Sequence, residues 1–374
     1  MQTDKHIPNI KNQGLYSPEF EHDACGVGMV ANIKGVKSHE IISRGIDALC
    51  HLGHRGASGA DPETGDGAGI ICQIPHDFFV EKASMENISL PDLGDYGVGM
   101  VFIPQKNSNA IDQYKQSIVN SIEQENFELI WWREVPVDPT KIGTSANEVR
   151  PNIFQFFVSK KQQNRYQNLD LSLYILRKNI EQEISSSKLK SHDFYICSLS
   201  SSTIVYKGLL VPEQVPDFFL DLNDPIFQSS FALVHSRFST NTLGSWKLAH
   251  PYRFVVHNGE INTVKGNINW MLSREQSFQS NELGSDLEKI KPITVHGQSD
   301  TAALDNALEL LLATGRSIEH SMMMLIPEAW GDHIEMSDAK RAFYDYHSSM
   351  MEPWDGPALV VGTDGKKVCA VLDR

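Results

Sequence analysis

Between Tyr96 and Leu199 the chain repeats one order of structural elements, and this repeat strongly restricts its fold. The strand pattern YGVGMVFIP is followed by a helical pattern over residues 109–124 and by the strand pattern FELIWWREVP. The strand IFQFFVSK, a helix over about residues 169–184 and the strand DFYICSL then follow in the same order. Strand-helix-strand units lay their helices against one sheet. We therefore predict an inserted α/β layer at about residues 95–210.

The segments that flank this layer predict a second, strand-rich part of the fold. Residues 26–35 alternate in polarity as a strand does, and residues 41–52 place apolar side chains on one helical face. Three later segments, FALVHSRFST, RFVVHNGEI and ALVVGTDGKKVCAVL, also have strand patterns. The third contains Asp364-Gly365, a typical hairpin turn.

The charge and the cysteines of the chain argue against several classes of partner and compartment. A formal net charge of −14 repels nucleic acid and anionic membranes. No apolar run approaches the ~20 residues of a membrane span. The five cysteines are widely spaced without a CxxC pair, which is typical of a reducing compartment. We predict a cytoplasmic protein, with the plastid stroma as the alternative.

A glycine-rich stretch at residues 53–69, GHRGASGADPETGDGAG, does not match a phosphate-binding loop. It contains neither GxGxxG nor G-K-[ST], and its three carboxylates put negative charge where a phosphate would lie. A tight loop whose backbone approaches another segment is the better interpretation. His51 and His54 have i, i+3 spacing, but HExxH is absent and no acid or cysteine cluster accompanies them, so we predict no metal site.

Two polar motifs interrupt strand patterns and are candidates for a binding or catalytic site. Arg237, in HSRFSTNT, lies within an apolar strand pattern, where a guanidinium is costly unless it meets an anion. Asn258-Gly259, in HNGEI, is by itself a typical hairpin turn. The same pair offers a side-chain amide beside a glycine N–H, which is what an oxyanion hole requires.

Asp300 and Cys25 each have a structural and a functional interpretation. The helical pattern SDTAALDNALELLLATG can be capped by Ser299 or Asp300, but a carboxylate there can also hold a substrate ammonium. Cys25 is by itself a small buried thiol. If the bond after Ala24 were cut, Cys25 would carry an α-amine with a pKa of about 7.7–8.0. That amine could deprotonate the thiol without a histidine partner.

Five motifs in this order resemble those of the class II, or N-terminal-nucleophile (Ntn), glutamine amidotransferases. They are CGVG at the start of a strand, HRG, HSRFST, HNGEI and SDT. Within that family the chain is most similar to the amino-terminal glutaminase domain of glutamate synthase large subunits. The segments that carry this likeness are EHDACGVG, HRGASGADPETGDGAGI, SLSSSTIVYKGLL, ALVHSRFSTNT, HNGEINTVKGN, QSDTAALDNALELLL and MMMLIPEAW.

The resemblance implies a role for each matching residue. Cys25 would be the catalytic nucleophile after removal of a leader, residues 1–24, and its α-amine would be the base. Asn258 and Gly259 would hold the oxyanion of the tetrahedral intermediate. The substrate-binding residues would be Arg237 for the glutamine α-carboxylate and Asp300 for its α-ammonium, with Arg55, Gly56, Ser239 and Thr240 around them.

The resemblance also implies a fold and a reaction. The expected fold is α+β, a four-layer αββα Ntn-hydrolase sandwich of two antiparallel sheets over residues 25–374, with the inserted α/β layer included. The expected reaction converts L-glutamine to L-glutamate and ammonia through a cysteine thioester, and a complete glutamate synthase channels the ammonia to 2-oxoglutarate. No cofactor or metal is expected in this segment. FMN, an iron–sulfur cluster and the synthase domains belong to the complete enzyme, with a small NAD(P)H-oxidising subunit or ferredoxin as the expected partner.

Two other functions are consistent with the motifs. A class II amidotransferase domain can serve another acceptor, although the glycine-rich loop and the long insertion argue against this. A non-catalytic glutamine-binding domain is the second alternative, and the presence of Cys25 with all the expected pocket residues argues against it. Because the sequence stops at Arg374 directly after a strand pattern, we expect it to be the front part of a longer polypeptide.

Overall fold

The computed structural model describes residues 26–53, 61, 63–105, 108–236, 244–328 and 335–372 of the chain. The strands are β1 (Gly26–Ala31), β2 (Ala68–Gln73), β3 (Tyr96–Ile103), β4 (Phe127–Glu134), β5 (Asn152–Lys160), β6 (Tyr195–Ser200), β7 (Thr203–Gly208), β8 (Phe231–Ser236), β9 (Val255–Gly259), β10 (Ala358–Thr363) and β11 (Val368–Leu372). The α-helices are α1 (His39–His51), α2 (His76–Met85), α3 (Ser108–Gln124), α4 (Thr144–Glu148), α5 (Leu169–Ser186), α6 (Gln214–Phe218), α7 (Val264–Glu275), α8 (Asp300–Ala313), α9 (Ile318–Leu325) and α10 (Asp338–Ser348). None of these described helices is long and apolar enough to cross a membrane.

Two antiparallel sheets form the centre of the molecule. The first has the strand order β1-β8-β2-β7, and the second has the order β11-β10-β9. Helix α1 contacts β1 and β8 of the first sheet, and these same strands contact β9 of the second sheet. Helices α8 and α9 contact the second sheet in turn. These contacts confirm the predicted α+β fold with antiparallel sheets packed in layers.

Helix α1 approaches the first sheet closely because glycines leave room for it. Ile42, on the inner face of the helix, is fully buried. An added Cβ at Gly26 would lie 2.7 Å from Leu52 Cβ, and an added Cβ at Gly45 would lie 2.6 Å from Ala232 Cβ. Contacts under 3.0 Å do not occur without a shift, so any larger side chain would push the helix away.

The inserted layer contains a third sheet, with the order β4-β5-β3-β6 and antiparallel pairing throughout. Its two strand-helix-strand units interleave. Strand β5 of the second unit lies between β3 and β4 of the first, and β3 lies between β5 and β6 of the second. Helices α3 and α5 bury Ile118 and Leu176 against this sheet. The predicted layer at about residues 95–210 includes β7, but β7 pairs with β2 and is part of the first sheet.

Buried ion pairs join the inserted layer to the rest of the molecule. Arg133 of β4 donates to the two carboxylate oxygens of Asp221 at 2.7 and 2.6 Å. Arg177 of α5 donates to the two carboxylate oxygens of Glu309 in α8 at 3.0 and 2.5 Å. Arg253 donates to the same Glu309 carboxylate at 3.1 Å. Buried charges are tolerated only when they are paired, so these contacts fix how the layer sits.

At its described end, the glycine-rich stretch lies close to another segment, whereas residues 54–60 and 62 of the predicted tight loop lie outside the described residues. An added Cβ at Gly65 would lie 2.2 Å from the Leu210 carbonyl oxygen. One at Gly69 would lie 2.4 Å from the Tyr206 carbonyl oxygen. The backbone of this stretch therefore lies directly against the backbone of β7 and the residues that follow it.

Candidate active site

Three of the predicted site residues, Asn258, Gly259 and Asp300, lie in the described part of the chain. The other predicted site residues lie outside the described residues: Cys25, Arg55, Gly56, Arg237, Ser239 and Thr240. In sequence, Cys25 precedes the first residue of β1, and Arg237 follows the last residue of β8. Those two strand residues, Gly26 and Ser236, are paired across the first sheet. Cys25 and Arg237 are therefore attached, in sequence, to the same paired end of β1 and β8.

His235 connects this end of the first sheet to the second sheet. It is fully buried beside Ser236 in β8, and its Nε2 lies 2.7 Å from the backbone oxygen of His257 in β9. Because a carbonyl oxygen only accepts hydrogen bonds, Nε2 carries the proton. Burial lowers the pKa of His235 to about 3, against the opposing effect of this bond, so the imidazole is neutral. The bond holds the residue before Asn258 against β8.

Asn258 and Gly259 end β9, and they do not form a hairpin turn. They pair with Leu359 and Ala358 of β10, which follows much later in the chain. Gly259 has a φ of +115°, and an added Cβ would lie 2.0 Å from the Pro357 carbonyl oxygen. Glycine is thus required both by the backbone conformation and by the available space. The hairpin interpretation of this pair is therefore wrong.

Ser299, and not Asp300, caps helix α8. The Ser299 hydroxyl oxygen accepts a hydrogen bond from the Ala302 N–H at 3.1 Å. The Asp300 carboxylate accepts instead from the N–H groups of Ile261 at 3.1 Å and of Thr301 at 2.6 Å. Its side chain is 19% exposed. A carboxylate held by neutral N–H donors at a helix N-terminus can accept further hydrogen bonds from a cation.

Two contacts join Asp300 to the end of β9. Ile261, whose N–H binds the Asp300 carboxylate, follows Gly259 by two positions. His257, just before Asn258, has its Nδ1 2.7 Å from Thr301 Oγ1 and 3.9 Å from Asp300 Oδ2. Burial lowers the pKa of His257 against the opposing effect of the Asp300 carboxylate. Asp300 is therefore joined to the end of β9 that carries Asn258 and Gly259 by the contacts of His257 and Ile261.

Three residues at this site were not predicted from the sequence as site residues: His235, His257 and Thr301. Each lies inside one of the motifs HSRFST, HNGEI and SDT. For the two histidines, the sequence signal was a polar side chain within an apolar strand pattern. Such a side chain is expected to be buried and to have a hydrogen-bond partner, because buried polar groups in proteins are almost always hydrogen-bonded. Their partners lie on other strands and helices, so the sequence does not identify them.

The four described cysteines are free thiols that are poorly suited to nucleophilic catalysis. Burial raises the pKa of Cys72 far above its ordinary value and that of Cys197 to about 12. Burial and nearby carboxylates, Glu213 the first of them, raise the pKa of Cys50, and burial raises that of Cys369. The thiolate is the nucleophile, so each of these shifts lowers reactivity. Within the described ranges, no group of three or more His, Cys, Asp or Glu side chains could hold a metal ion.

Comparison with known proteins decides the family. Residues 25–374 match the family model described as "Glutamine amidotransferases class-II". The chain belongs to the class II glutamine amidotransferases. It is 52% identical over 366 residues to "Glutamate synthase [NADPH] large chain" of Bacillus subtilis, an alignment that covers 97% of this chain and 24% of that protein. It is 44% identical over 370 residues to "Ferredoxin-dependent glutamate synthase" of Pyropia yezoensis, again with 97% and 24% covered.

A third relative extends the likeness to a fungal protein. "Glutamate synthase [NADH]" of Schizosaccharomyces pombe is 43% identical over 371 residues, which cover 97% of this chain and 17% of that protein. The chain thus spans about a quarter of the length of the first two relatives, or less for the third. These matches confirm the resemblance stated from the motifs: this is a glutamine amidotransferase domain of the glutamate synthase type.

Proposed function

We propose that this chain is the glutaminase of a glutamate synthase and hydrolyses the side-chain amide of L-glutamine to L-glutamate and ammonia. The proposal rests on one observation: the ends of strands β8 and β9 and the start of helix α8 are joined by hydrogen bonds. His235 binds the backbone before Asn258, and Asp300 binds the backbone just after Gly259. A candidate oxyanion hole and a candidate ammonium site thereby adjoin the strand ends to which Cys25 and Arg237 are attached in sequence.

Cys25 is the proposed nucleophile, released as the first residue by removal of residues 1–24. Two observations support this: the family match begins at residue 25, and burial raises the pKa of the four described cysteines. The free α-amine takes the thiol proton, and the thiolate attacks the side-chain carbonyl carbon of glutamine. The Asn258 side-chain amide and the Gly259 N–H donate to the oxyanion that forms.

The tetrahedral intermediate then collapses and the carbon–nitrogen bond breaks. The protonated α-amine returns its proton to the leaving nitrogen, so ammonia departs and a glutamyl thioester remains on Cys25. Water, deprotonated by the same amine, adds to the thioester, and cleavage of the carbon–sulfur bond releases glutamate and restores the thiol. Each donor of the oxyanion hole is worth roughly 3 kcal/mol of barrier in comparable enzymes.

Substrate recognition rests on opposite charges at the two ends of the amino acid group. Arg237 is proposed to pair with the α-carboxylate and Asp300 with the α-ammonium, with Arg55, Gly56, Ser239 and Thr240 lining the pocket. Asp300 is suited to this role because its described partners are neutral N–H and O–H groups. A substrate ammonium would be the positive partner that the carboxylate otherwise lacks among the described residues.

In the complete enzyme we propose that the ammonia passes to 2-oxoglutarate in synthase domains of the same polypeptide. FMN, an iron–sulfur cluster and the electron donor, either an NAD(P)H-oxidising subunit or ferredoxin, would act there and not in residues 25–374. The relatives support a glutamate synthase but differ in the donor that their names state. The cytoplasm or the plastid stroma is the proposed location.

A matched pair of cysteine variants tests the proposed function. Cys25→Ser should lower glutaminase turnover by at least about 1000-fold, because the nucleophile is lost. Cys50→Ser should leave it within about twofold, because the Cys50 thiol has a raised pKa and no proposed role. Glutamine-dependent ammonia release by the purified chain is the measurement. Full activity in Cys25→Ser would contradict the proposal, and glutamine binding without any turnover by the wild-type chain would favour a non-catalytic binding domain.

A further inference from the structure

The roles proposed so far leave the buried polar groups between β9 and α8 without a function. His257 is 3% exposed and Thr301 is 1% exposed, so neither is positioned to be reached by solvent. His257 stands directly before Asn258, and Thr301 stands directly after Asp300. They link one residue of the candidate oxyanion hole to the candidate ammonium site.

The hydroxyl of Thr301 lies at the centre of this link. It donates to Asp300 Oδ1 at 3.2 Å, and it lies 2.7 Å from Nδ1 of His257. The Thr301 N–H also donates to Asp300 Oδ1, at 2.6 Å. Thr301 therefore holds the Asp300 carboxylate with its backbone and its side chain together.

The hydrogen positions in the link follow from the acceptor at its end. An ionised carboxylate only accepts hydrogen bonds, so the single hydroxyl proton of Thr301 points to Asp300. The hydroxyl oxygen must then accept from His257, which puts the imidazole proton on Nδ1. The chain of donors runs from His257 Nδ1–H through the Thr301 hydroxyl to the carboxylate, and it requires a neutral His257 with Nε2 unprotonated.

The other side of His257 is also fixed. Its backbone oxygen accepts from His235 Nε2 at 2.7 Å, and β9 pairs it with Val360 of β10. The peptide group that joins His257 to Asn258 is thus held from the first sheet, while its imidazole is held from α8. A displacement of either support would move the backbone of Asn258 and Gly259.

We infer that Thr301 is a positioning residue that sets the spacing between the ammonium site and the oxyanion hole through His257. This inference rests on the proposed glutaminase function. It assigns a role to the third residue of the SDT motif and the first residue of HNGEI. The hydroxyl, and not the methyl group, carries the role, because only the hydroxyl bonds both His257 and Asp300.

The experiment compares Thr301→Val, which keeps the shape but removes the hydroxyl, with Thr301→Ser, which keeps the hydroxyl. Loss of a hydrogen bond to a charged group corresponds to roughly a 10- to 100-fold effect. We expect Thr301→Val to raise KM for glutamine about tenfold, through Asp300, and to lower kcat about tenfold, through Asn258 and Gly259. Thr301→Ser should stay within about threefold of the wild type in both constants.

A purely structural role gives a different result. Thr301→Val would then lower kcat only in proportion to the fraction of folded protein, which circular dichroism measures, and KM would not change. Unchanged KM in Thr301→Val, or equal losses in the serine and valine variants, would overturn the inference.

A spectroscopic readout separates this inference from the proposed function. Nitrogen NMR of histidine-labelled chain, with His257 assigned through a His257→Gln variant, should show the Nδ1–H tautomer in the wild type and in Thr301→Ser. Thr301→Val should lose that preference. A wild-type chain without glutaminase activity would refute the proposed function, whereas an Nε2–H tautomer of His257 in the wild type would refute the link itself.

Discussion

Helix α8 carries two groups of carboxylates that differ in burial and in their partners: the buried pair Asp305 and Glu309, and the partly exposed Asp300. Towards its middle, Asp305 and Glu309 face the guanidinium groups of Arg253 and Arg177, at distances between 2.5 and 3.4 Å. At its start, Asp300 is held only by backbone N–H groups and one hydroxyl among the described residues, beside the neutral His257. The first cluster is compensated in charge within the protein. The second leaves a carboxylate whose charge can be used to bind a ligand.

This contrast separates a structural role from a binding role on one helix. Breaking the compensated cluster should cost stability first, and activity only through unfolding. Changing the uncompensated carboxylate should cost activity first. The following experiments change these two clusters or the residues beside Asp300, and they measure the free energy of unfolding, the glutaminase constants or both.

Glu309→Ala should have the largest effect on stability. It leaves Arg177 and Arg253 buried with one carboxylate fewer, and breaking a buried pair typically costs about 3–5 kcal/mol. Urea unfolding measures the loss. The control is Glu288→Ala, whose carboxylate is 76% exposed in a surface pair with Lys291 and should change stability by less than about 1 kcal/mol. Equal effects of the two variants would show that the cluster is not structural.

Among the variants of these two clusters, Asp300→Asn should have the largest effect on catalysis. The change removes the charge but keeps the size, and loss of one member of a desolvated charge pair corresponds to roughly 2–4 kcal/mol, or about 30- to 1000-fold in kcat/KM. The control is Asp338→Asn, which occupies the same position after a serine cap, Ser337, at the start of α10. Only the Asp300 variant should bind glutamine more weakly; a stability loss without a change in KM would assign Asp300 to the structural class.

The pH dependence of stability should distinguish the histidines at the site from the arginines of the other cluster. The folded-state pKa of His235 is about 3, well below the ordinary value near 6.5, so the unfolded chain takes up a proton first as the pH falls. The free energy of unfolding should therefore decrease below pH 6.5, by about 2 kcal/mol at pH 5 from this residue alone. Burial opposes the charged form of Arg177 and Arg253, but the carboxylates beside them outweigh it and raise the pKa of each, so both stay charged throughout.

Urea unfolding at several pH values measures this slope in the wild type and in a His235→Gln variant. The variant should show a shallower decrease between pH 6.5 and pH 5, because glutamine does not titrate. Parallel curves for the two proteins would mean that His235 takes up its proton in the folded state as readily as in the unfolded chain, contrary to the lowered pKa that its burial gives it.

Gly259→Ala should lower stability, and it should lower turnover by more than the loss of stability explains. A Cβ there combines a φ of +115° with a contact of 2.0 Å to the Pro357 carbonyl oxygen, and such strain costs roughly 1–3 kcal/mol. If the backbone shifts to relieve this strain, the N–H of residue 259 in the candidate oxyanion hole moves with it. The loss in kcat should therefore be larger than the loss of stability explains. Gly266→Ala is the control, since an added Cβ in α7 meets nothing within 4 Å and alanine favours helix.

The sequence predicted the elements of the inserted layer well because they are long and strongly periodic. Strand β3 and helix α5, for example, lie within a few residues of their predicted positions. The sequence did not show that β7 leaves this layer, because only two residues separate it from β6 and both strands are apolar. Which sheet a strand joins is decided by long-range pairing, here with β2, and not by local pattern.

The candidate site was predictable in part for a related reason. Asn258-Gly259 carries the same local signal whether it turns a hairpin or ends a strand, and only its pairing with Leu359 and Ala358 decides between them. Asp300 was ambiguous until Ser299 proved to be the cap. The contacts of His257 depend on β9 lying next to α8. This packing is a feature of the tertiary structure, and the motifs do not predict it.

The most direct test of the central claim is an intact-mass measurement of the chain before and after treatment with an electrophilic glutamine analogue. A diazoketone in place of the side-chain amide would alkylate the attacking thiol. We predict that active protein has lost residues 1–24, gains one adduct, and carries that adduct on Cys25 when the peptides are mapped. A chain that hydrolyses glutamine while retaining residues 1–24, or that carries the adduct on another residue, would contradict the account.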